Sequence, residues 1–395
     1  MREKEPLDLG LLLVIVALVV CGILFIYDSS FVRAGQAKFT GYDPQFFLKR
    51  QLISVAVGSV LMLTVMHVPF WKLGRLAVAG MPLAIILLVL VLLFGQEANG
   101  ARRALGSGLL RFQPAEFAKL AVVLFLARWL SRSRHRVRRF QEGFLPLTIL
   151  LLMVGLLIER EPDLGTALVV VGTGFVMLFL GGAKKRHLLG LVLVCALAAA
   201  LLVAMKPYRL GRIASWRDPF GDPQNRGYQV VHSLIAIGSG SFFGVGLGQG
   251  RQKYFYLPAE HTDYIFGTIG EELGLVGTWG MLFLFLFLVA RGFNVAHRCG
   301  DPFGALVAGG ISSMVALQTL LNIGVATNVL PCTGVPLPFI SYGGSSLVLT
   351  MLSMGILLNI SQYPAAVGET SKSRDEGSLD RRRNRWAYQS GYRYR

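Results

Sequence analysis

Uninterrupted apolar runs constrain this chain more than any other feature. Leu9–Ile26 carries no charged residue, Ala79–Phe94 reads AGMPLAIILLVLVLLF, and Leu188–Met205 is almost wholly Leu, Val and Ala. A helix needs roughly 20 apolar residues to cross a hydrocarbon core about 30 Å thick. A helix in a soluble core has no reason to be apolar on every face over that length. Charged residues make up only 15% of the 395, against about 25% in soluble domains. The pattern predicts an all-α, polytopic membrane bundle of about ten spans, near residues 9–27, 51–68, 76–94, 114–130, 144–158, 164–181, 187–205, 263–290, 303–325 and 345–361. Residues 1–361 then form the membrane domain, with one long extracytoplasmic loop at 206–262 between spans seven and eight. No A-x-A site ends the first run, which reads as a retained span.

A net charge of +17 would suit a nucleic-acid binder, but the cations sit in short loops and in the tail. That placement follows the positive-inside rule and the anionic lipid of the cytoplasmic face. With the N-terminus inside, the inner segments hold 22 Lys and Arg in 81 positions and the outer loops 15 in 123. Both termini are therefore assigned to the cytoplasm. Residues 362–395, with Arg381, Arg382, Arg383 and Arg385, read as a basic, disordered cytoplasmic tail attracted to lipid. Cys21, Cys195, Cys299 and Cys332 share no metal-like spacing, and two of them lie within spans, which argues against a disulfide framework.

Outer loops should be poor in arginine, yet Arg102, Arg103, Arg111, Arg209, Arg212, Arg217, Arg226, Arg251 and Lys253 all fall outside. Loop 206–262 alone holds seven of the outer cations. It also carries Trp216, Tyr228, Phe242, Phe243, Tyr254, Phe255 and Tyr256 and a helical pattern around Val230–Ile237. A loop beyond about 15 residues in a compact protein is either functional or disordered, and these features favour function. A cation-rich outer surface beside lipid suits a phosphate-bearing lipid substrate.

Five stretches together resemble the SEDS proteins (shape, elongation, division and sporulation). They are NGARRALGSGLLRFQPAEFAKL at 99–120, EPDLGTAL at 161–168, the segment 227–274 from GYQVVHSLIAIGSG to FGTIGEELG, NIGVATNVLPCTGVPLPFISYGGSS at 322–346, and GILLNIS at 355–361. GLGQGRQKYFYLP is closer to the division and sporulation branch, FtsW-like, than to the RodA-like elongation branch. The resemblance implies a peptidoglycan glycosyltransferase that polymerises lipid II into β-1,4 glycan strands outside the cytoplasmic membrane. It also implies a class B penicillin-binding protein transpeptidase as partner, with other divisome proteins. No nucleic acid enters this picture.

Glycan polymerisation displaces a lipid pyrophosphate from one sugar by the 4-hydroxyl of another. A carboxylate must take the hydroxyl proton, and cations or a metal must offset the leaving pyrophosphate. Asp263, at the outer mouth of the eighth span, is the candidate base. Read alone it is an ordinary helix-start acid favoured by the dipole; the resemblance gives it the catalytic role. Glu116 and Lys119 are three apart on one helix face, just inside a span, where charges face a cavity or each other. By themselves they are equally well an ion pair, and the resemblance places them in the cavity of the aspartate. Arg102 and Arg103 could grip phosphate bidentately. Lys253, His261 and Ser345 complete the substrate-binding candidates, with helix capping an equal reading for His261 and Ser345. A divalent cation (Mg or Mn) stays open as a cofactor.

Position 104 is Ala where the family commonly has an aromatic residue, usually Trp, which puts in doubt any sugar or lipid contact made there. Glu271 and Glu272 point about 100° apart and cannot both serve the site of Asp263; one is expected to pack against a polar partner. GSGSFFGVGLGQG lacks the Lys-Ser/Thr and the preceding strand of a P-loop. A lipid II flippase is the rival function, with the same substrate and spans, but it needs a polar path on both sides, whereas the motif-bearing loops cluster outside. A scaffold that only recruits division partners is a weaker third reading.

Overall fold

Within a bilayer each backbone N–H and C=O must be satisfied inside its own segment, so the apolar runs become helices. The computed structural model describes residues 4–98, 101–106, 111–133, 135–205, 207–225, 227–254 and 262–364. Its helices are α1 (Leu9–Gln36), α2 (Phe46–His67), α3 (Phe70–Phe94), α4 (Pro114–Arg132), α5 (Leu145–Arg160), α6 (Leu164–Leu180), α7 (Lys185–Ala204), α8 (Pro207–Arg217), α9 (Tyr228–Ser239), α10 (Ile265–Arg298), α11 (Pro302–Ala326) and α12 (Gly344–Ser361). A hairpin of two short strands, β1 (Gln96–Ala98) and β2 (Ala101–Ala104), precedes α4. Among the described residues, eight helices are long and apolar enough to cross a membrane. α6 is apolar but has 17 residues, and α4 carries Glu116, Lys119, Arg128 and Arg132. Both occupy predicted spans, but length and composition alone do not qualify them.

α2 packs along α12, α10 along α11, and α3 along α4. Burial reaches 67% of the most apolar stretch of α11 and 72% of α12, against 11% for α7, so the first two form the centre and α7 the rim. Lipid-facing positions stay exposed, among them Leu193, Leu197, Phe283 and Leu286. The predicted tail lies, beyond Pro364, outside the described residues.

The described parts of the predicted long loop, 207–225 and 227–254, fold over the C-terminal end of α11. α9 matches the expected helical stretch at Val230–Ile237, and its Ser233 hydroxyl donates to the Ala326 carbonyl at 2.7 Å. α8 was not expected from periodicity, because three arginines interrupt its single apolar face. Trp216 Nε1 donates to the Asn328 carbonyl at 3.2 Å, and Asn328 Nδ2 returns a bond to the Trp216 carbonyl at 3.3 Å.

α10 is broken at Gly274 (φ 64°, ψ −158°), a conformation open essentially to glycine alone. An unbroken helix would bond the N–H groups of Leu275 and Val276 to the carbonyls of Glu271 and Glu272. Here Leu275 donates to Ser241 at 2.9 Å and Val276 to Phe242 at 3.1 Å, while the freed carbonyls accept from Val245 at 3.0 Å and Gly246 at 3.1 Å. Four bonds to the 241–246 segment replace two within the helix, so these four backbone groups all keep a partner. The side chains repeat the arrangement. Glu272 accepts from the Gly248 and Gly250 amides, both at 3.1 Å, and Glu271 from Arg251 at 2.8 Å and Gln252 at 3.2 Å. Both glutamates therefore hold the same segment, in place of the single polar packing role expected of one of them. They point apart, but residues 248–252 wrap around the helix and meet both.

Candidate active site at the outer mouth

Asp263 stands just before α10, partly buried, against the 331–343 segment that links α11 to α12. Two successive peptide carbonyls there are tied down. Ser341 Oγ donates to the Thr262 carbonyl at 2.5 Å and accepts from the Leu337 amide at 2.8 Å. Asn322 Nδ2, on α11, donates to the Asp263 carbonyl at 3.0 Å and to the Val335 carbonyl at 2.8 Å. Gly334 takes φ +74°, and a Cβ there would lie 3.6 Å from Asp263 Oδ2. The loop thus passes close beside the carboxylate with little between them.

Glu116 and Lys119, expected to line the substrate cavity, pair with each other, with Lys119 Nζ 2.7 Å from Glu116 Oε2 and both side chains nearly sealed from solvent. Lys119 also donates to Gln318 Oε1 at 2.9 Å, and Gln318 Nε2 donates to the Pro336 carbonyl at 3.0 Å. Gln318 and Asn322 are four apart on α11 and share a face. The Glu116–Lys119 pair is therefore joined to Asp263 through α11 and two neighbouring carbonyls, Val335 and Pro336. The two groups are brought to one side of the same helix.

The corner between α5 and α6 adds a third part. Arg103 Nε donates to the Glu161 carbonyl at 3.0 Å, and its NH2 group bonds the Pro162 carbonyl. Asp163 caps α6 through Thr166 at 3.0 Å and accepts from Gln113 Nε2 at 3.2 Å. Ser345 Oγ accepts from the Gln113 amide at 3.2 Å and donates to the Arg111 carbonyl at 3.1 Å. It pins the segment that enters α4 rather than capping α12. Glu161 is fully buried, and neither carboxylate oxygen has a hydrogen-bond partner among the described residues. Burial first, and the charge of Asp163 second, push its pKa up to about 9. Burial raises Asp163 as well, against the pull of Arg103 and the Thr166 amide.

The outer cations divide by what they touch. Lys253 is fully buried between Asp28 Oδ1 at 2.6 Å and Glu272 Oε1 at 2.8 Å. Burial opposes its charge, but the two carboxylates outweigh that and hold its pKa above the ordinary lysine value. Arg209 pairs with Glu159, and Arg212 donates to the Cys332 carbonyl at 3.0 Å. Lys253, expected at the substrate, thus ties α1 to the clasped segment, and Arg103 spends donors on peptide carbonyls. Arg102 lies exposed on β2, opposite Glu97. Ala104, also on β2, is buried. His261 lies outside the described residues. Among the described residues no group of three or more His, Cys, Asp or Glu is placed to hold a metal ion.

Residues 9–365 match the FtsW/RodA/SpoVE cell cycle protein family. The chain belongs to that family. Among its FtsW/RodA/SpoVE relatives, stage V sporulation protein E of Bacillus subtilis is 42% identical over 363 residues, which span 91% of this chain and 98% of the relative. A probable peptidoglycan glycosyltransferase FtsW of Geobacter metallireducens is 40% identical, with 91% and 96% covered. The fold is similar to a chain of a peptidoglycan synthase complex described as coordinating polymerization and crosslinking (TM-score 0.74, 33% identity, 90% of this chain and 97% of that one). It is also similar to the rod shape determining protein RodA of Thermus thermophilus (TM-score 0.67, 30% identity, 91% and 98%). Gln318, Asn322 and Asp163 escaped the sequence reading of this FtsW/RodA/SpoVE chain. Two amides one turn apart in an apolar span are costly unless satisfied, and that spacing was the available signal.

Proposed function

We propose that this chain is a peptidoglycan glycosyltransferase that polymerises lipid II into β-1,4 strands at the outer face of the cytoplasmic membrane, with both termini inside. The observation that carries this reading is Asp263, held by its two flanking carbonyls at the outer start of α10 and joined through α11 to Glu116 and Lys119. The 4-hydroxyl of the acceptor attacks the anomeric carbon of the donor and its proton passes to the Asp263 carboxylate. The bond to pyrophosphate breaks on the opposite face, and the electron pair leaves with the lipid pyrophosphate, inverting the anomeric centre. Lys119 and Arg102 offset the charge that develops on the leaving group. Lys119 is nearly sealed by Glu116 and by Gln318 of α11, so donor binding has to loosen the contact between α4 and α11.

The partner is a class B penicillin-binding protein that cross-links the strands; division and sporulation both suit the relatives' names. Purified Asp263→Ala protein should make no strands from lipid II in detergent while still binding the transpeptidase. Full polymerisation by that variant refutes the assignment. Loss of lipid translocation with polymerisation intact favours a flippase.

A further inference from the structure

Asn322 and Ser341 bond the two carbonyls that flank one α-carbon, that of Asp263. The Thr262 carbonyl belongs to the peptide plane before this residue and the Asp263 carbonyl to the plane after it. Fixing both planes fixes φ and ψ at Asp263, and with them the direction in which its side chain leaves the backbone. Asn322 is 1% exposed and Ser341 4%. Neither is within the helix that Asp263 begins, so the constraint comes from α11 and from the 331–343 segment.

Asn322 gives a second indication. Its Nδ2 donates to the Asp263 and Val335 carbonyls, while its Oδ1 is buried with no partner among the described residues. A buried acceptor left unpaired costs stability, so the amide is kept here for its two donors, one of which holds the Asp263 carbonyl. Gln318, one turn earlier and fully satisfied, extends the same arrangement to the Lys119 ammonium.

We propose that Asn322 and Ser341 are positioning residues for Asp263, setting the direction of its carboxylate toward the acceptor hydroxyl while taking no part in the chemistry themselves. This rests on Asp263 being the base. A misplacement of about 1 Å at a reacting group costs about a hundredfold in rate, so the effect belongs on turnover and not on substrate binding.

The test uses full-length Asn322→Leu, Ser341→Ala, Ser341→Thr and Asp263→Asn proteins in detergent, with glycan polymerisation from purified lipid II followed over a range of substrate concentrations. Thermal unfolding is measured in parallel. The expected result is a kcat about ten- to a hundredfold lower for Asn322→Leu and Ser341→Ala, with KM for lipid II unchanged and Ser341→Thr restoring most of the rate. Wild-type kcat in folded Ser341→Ala, with Asp263→Asn inactive, overturns the positioning role and leaves the base standing. A rise in KM without loss of kcat also overturns it, as does failure of Ser341→Thr to recover the rate. Wild-type turnover by Asp263→Asn removes the base and this proposal together. Should Asn322→Leu not fold, Ser341→Ala decides alone.

Discussion

Glu161 is a carboxyl group sealed at the α5–α6 corner with no hydrogen-bond donor on either oxygen among the described residues. Its pKa of about 9 means that the folded protein keeps a proton that the unfolded chain gives up above about pH 4.5. Between those two values the unfolded state binds fewer protons, so stability falls as pH rises and levels off above about 9. Each pH step across that window costs about 1.4 kcal/mol, or about 5 kcal/mol by pH 8. Glu161→Gln keeps the shape and removes the titration. Its amide is left without partners, which costs about 1–3 kcal/mol at every pH. At pH 5 the variant should therefore match the wild type or melt slightly below it, and at pH 8 it should be about 2–4 kcal/mol more stable. Thermal unfolding in detergent at half-unit steps from pH 5 to 9 reads the difference directly. Asp163 is present in both proteins, and the part of the Glu161 rise that comes from its charge is lost with the carboxyl in the variant. Parallel curves, or a wild type that gains on the variant as pH rises, would show that Glu161 is ionised and partnered in the folded state, and the reasoning would fail.

Lys253→Met leaves Asp28 and Glu272 facing one another without their cation, a change that typically costs about 3–5 kcal/mol when the charges are buried. The variant should melt well below the wild type, and adding Glu272→Gln should recover part of the loss; no change on the single substitution would mean that Lys253 is not the link. Gly274→Ala puts a Cβ 2.3 Å from the Gly244 amide nitrogen at a backbone angle that alanine resists. Hydrogen exchange should then accelerate selectively at Val245, Gly246, Leu275 and Val276, and retained protection there would contradict the clasp.

Hydropathy reads what a residue prefers as solvent, and for this chain that was nearly enough to place the helices. α4 and α6 show its limit. Both lie where spans were expected, yet one carries four charges and the other stops at 17 residues. Polar residues in a span have to be read through their partners, and a partner can be far along the chain. Lys119 meets Gln318, 199 positions away, and Lys253 meets Asp28, 225 positions away. No local pattern announces either pair. Asp263 and the Glu116–Lys119 pair were legible through family motifs, whereas Ser341 acts on backbone groups and Asn322 shows only as one of two amides a turn apart in an apolar span.

The excess of cations in the predicted outer loops has, in part, an internal role. A phosphate-binding surface requires charges that remain available, but Arg103, Arg209, Arg212 and Lys253 are engaged with carbonyls or carboxylates of the protein itself. Arg209, Arg212 and Lys253 fasten parts of the 207–254 stretch to α5, the 331–343 segment, α1 and α10, and Arg103 fastens the β hairpin to the α5–α6 corner. An outer loop that must hold a fixed shape at a lipid surface needs such internal charge pairs, because it has little apolar core of its own to bury. Breaking the positive-inside rule is therefore a mark of folded loops as much as of an anionic ligand.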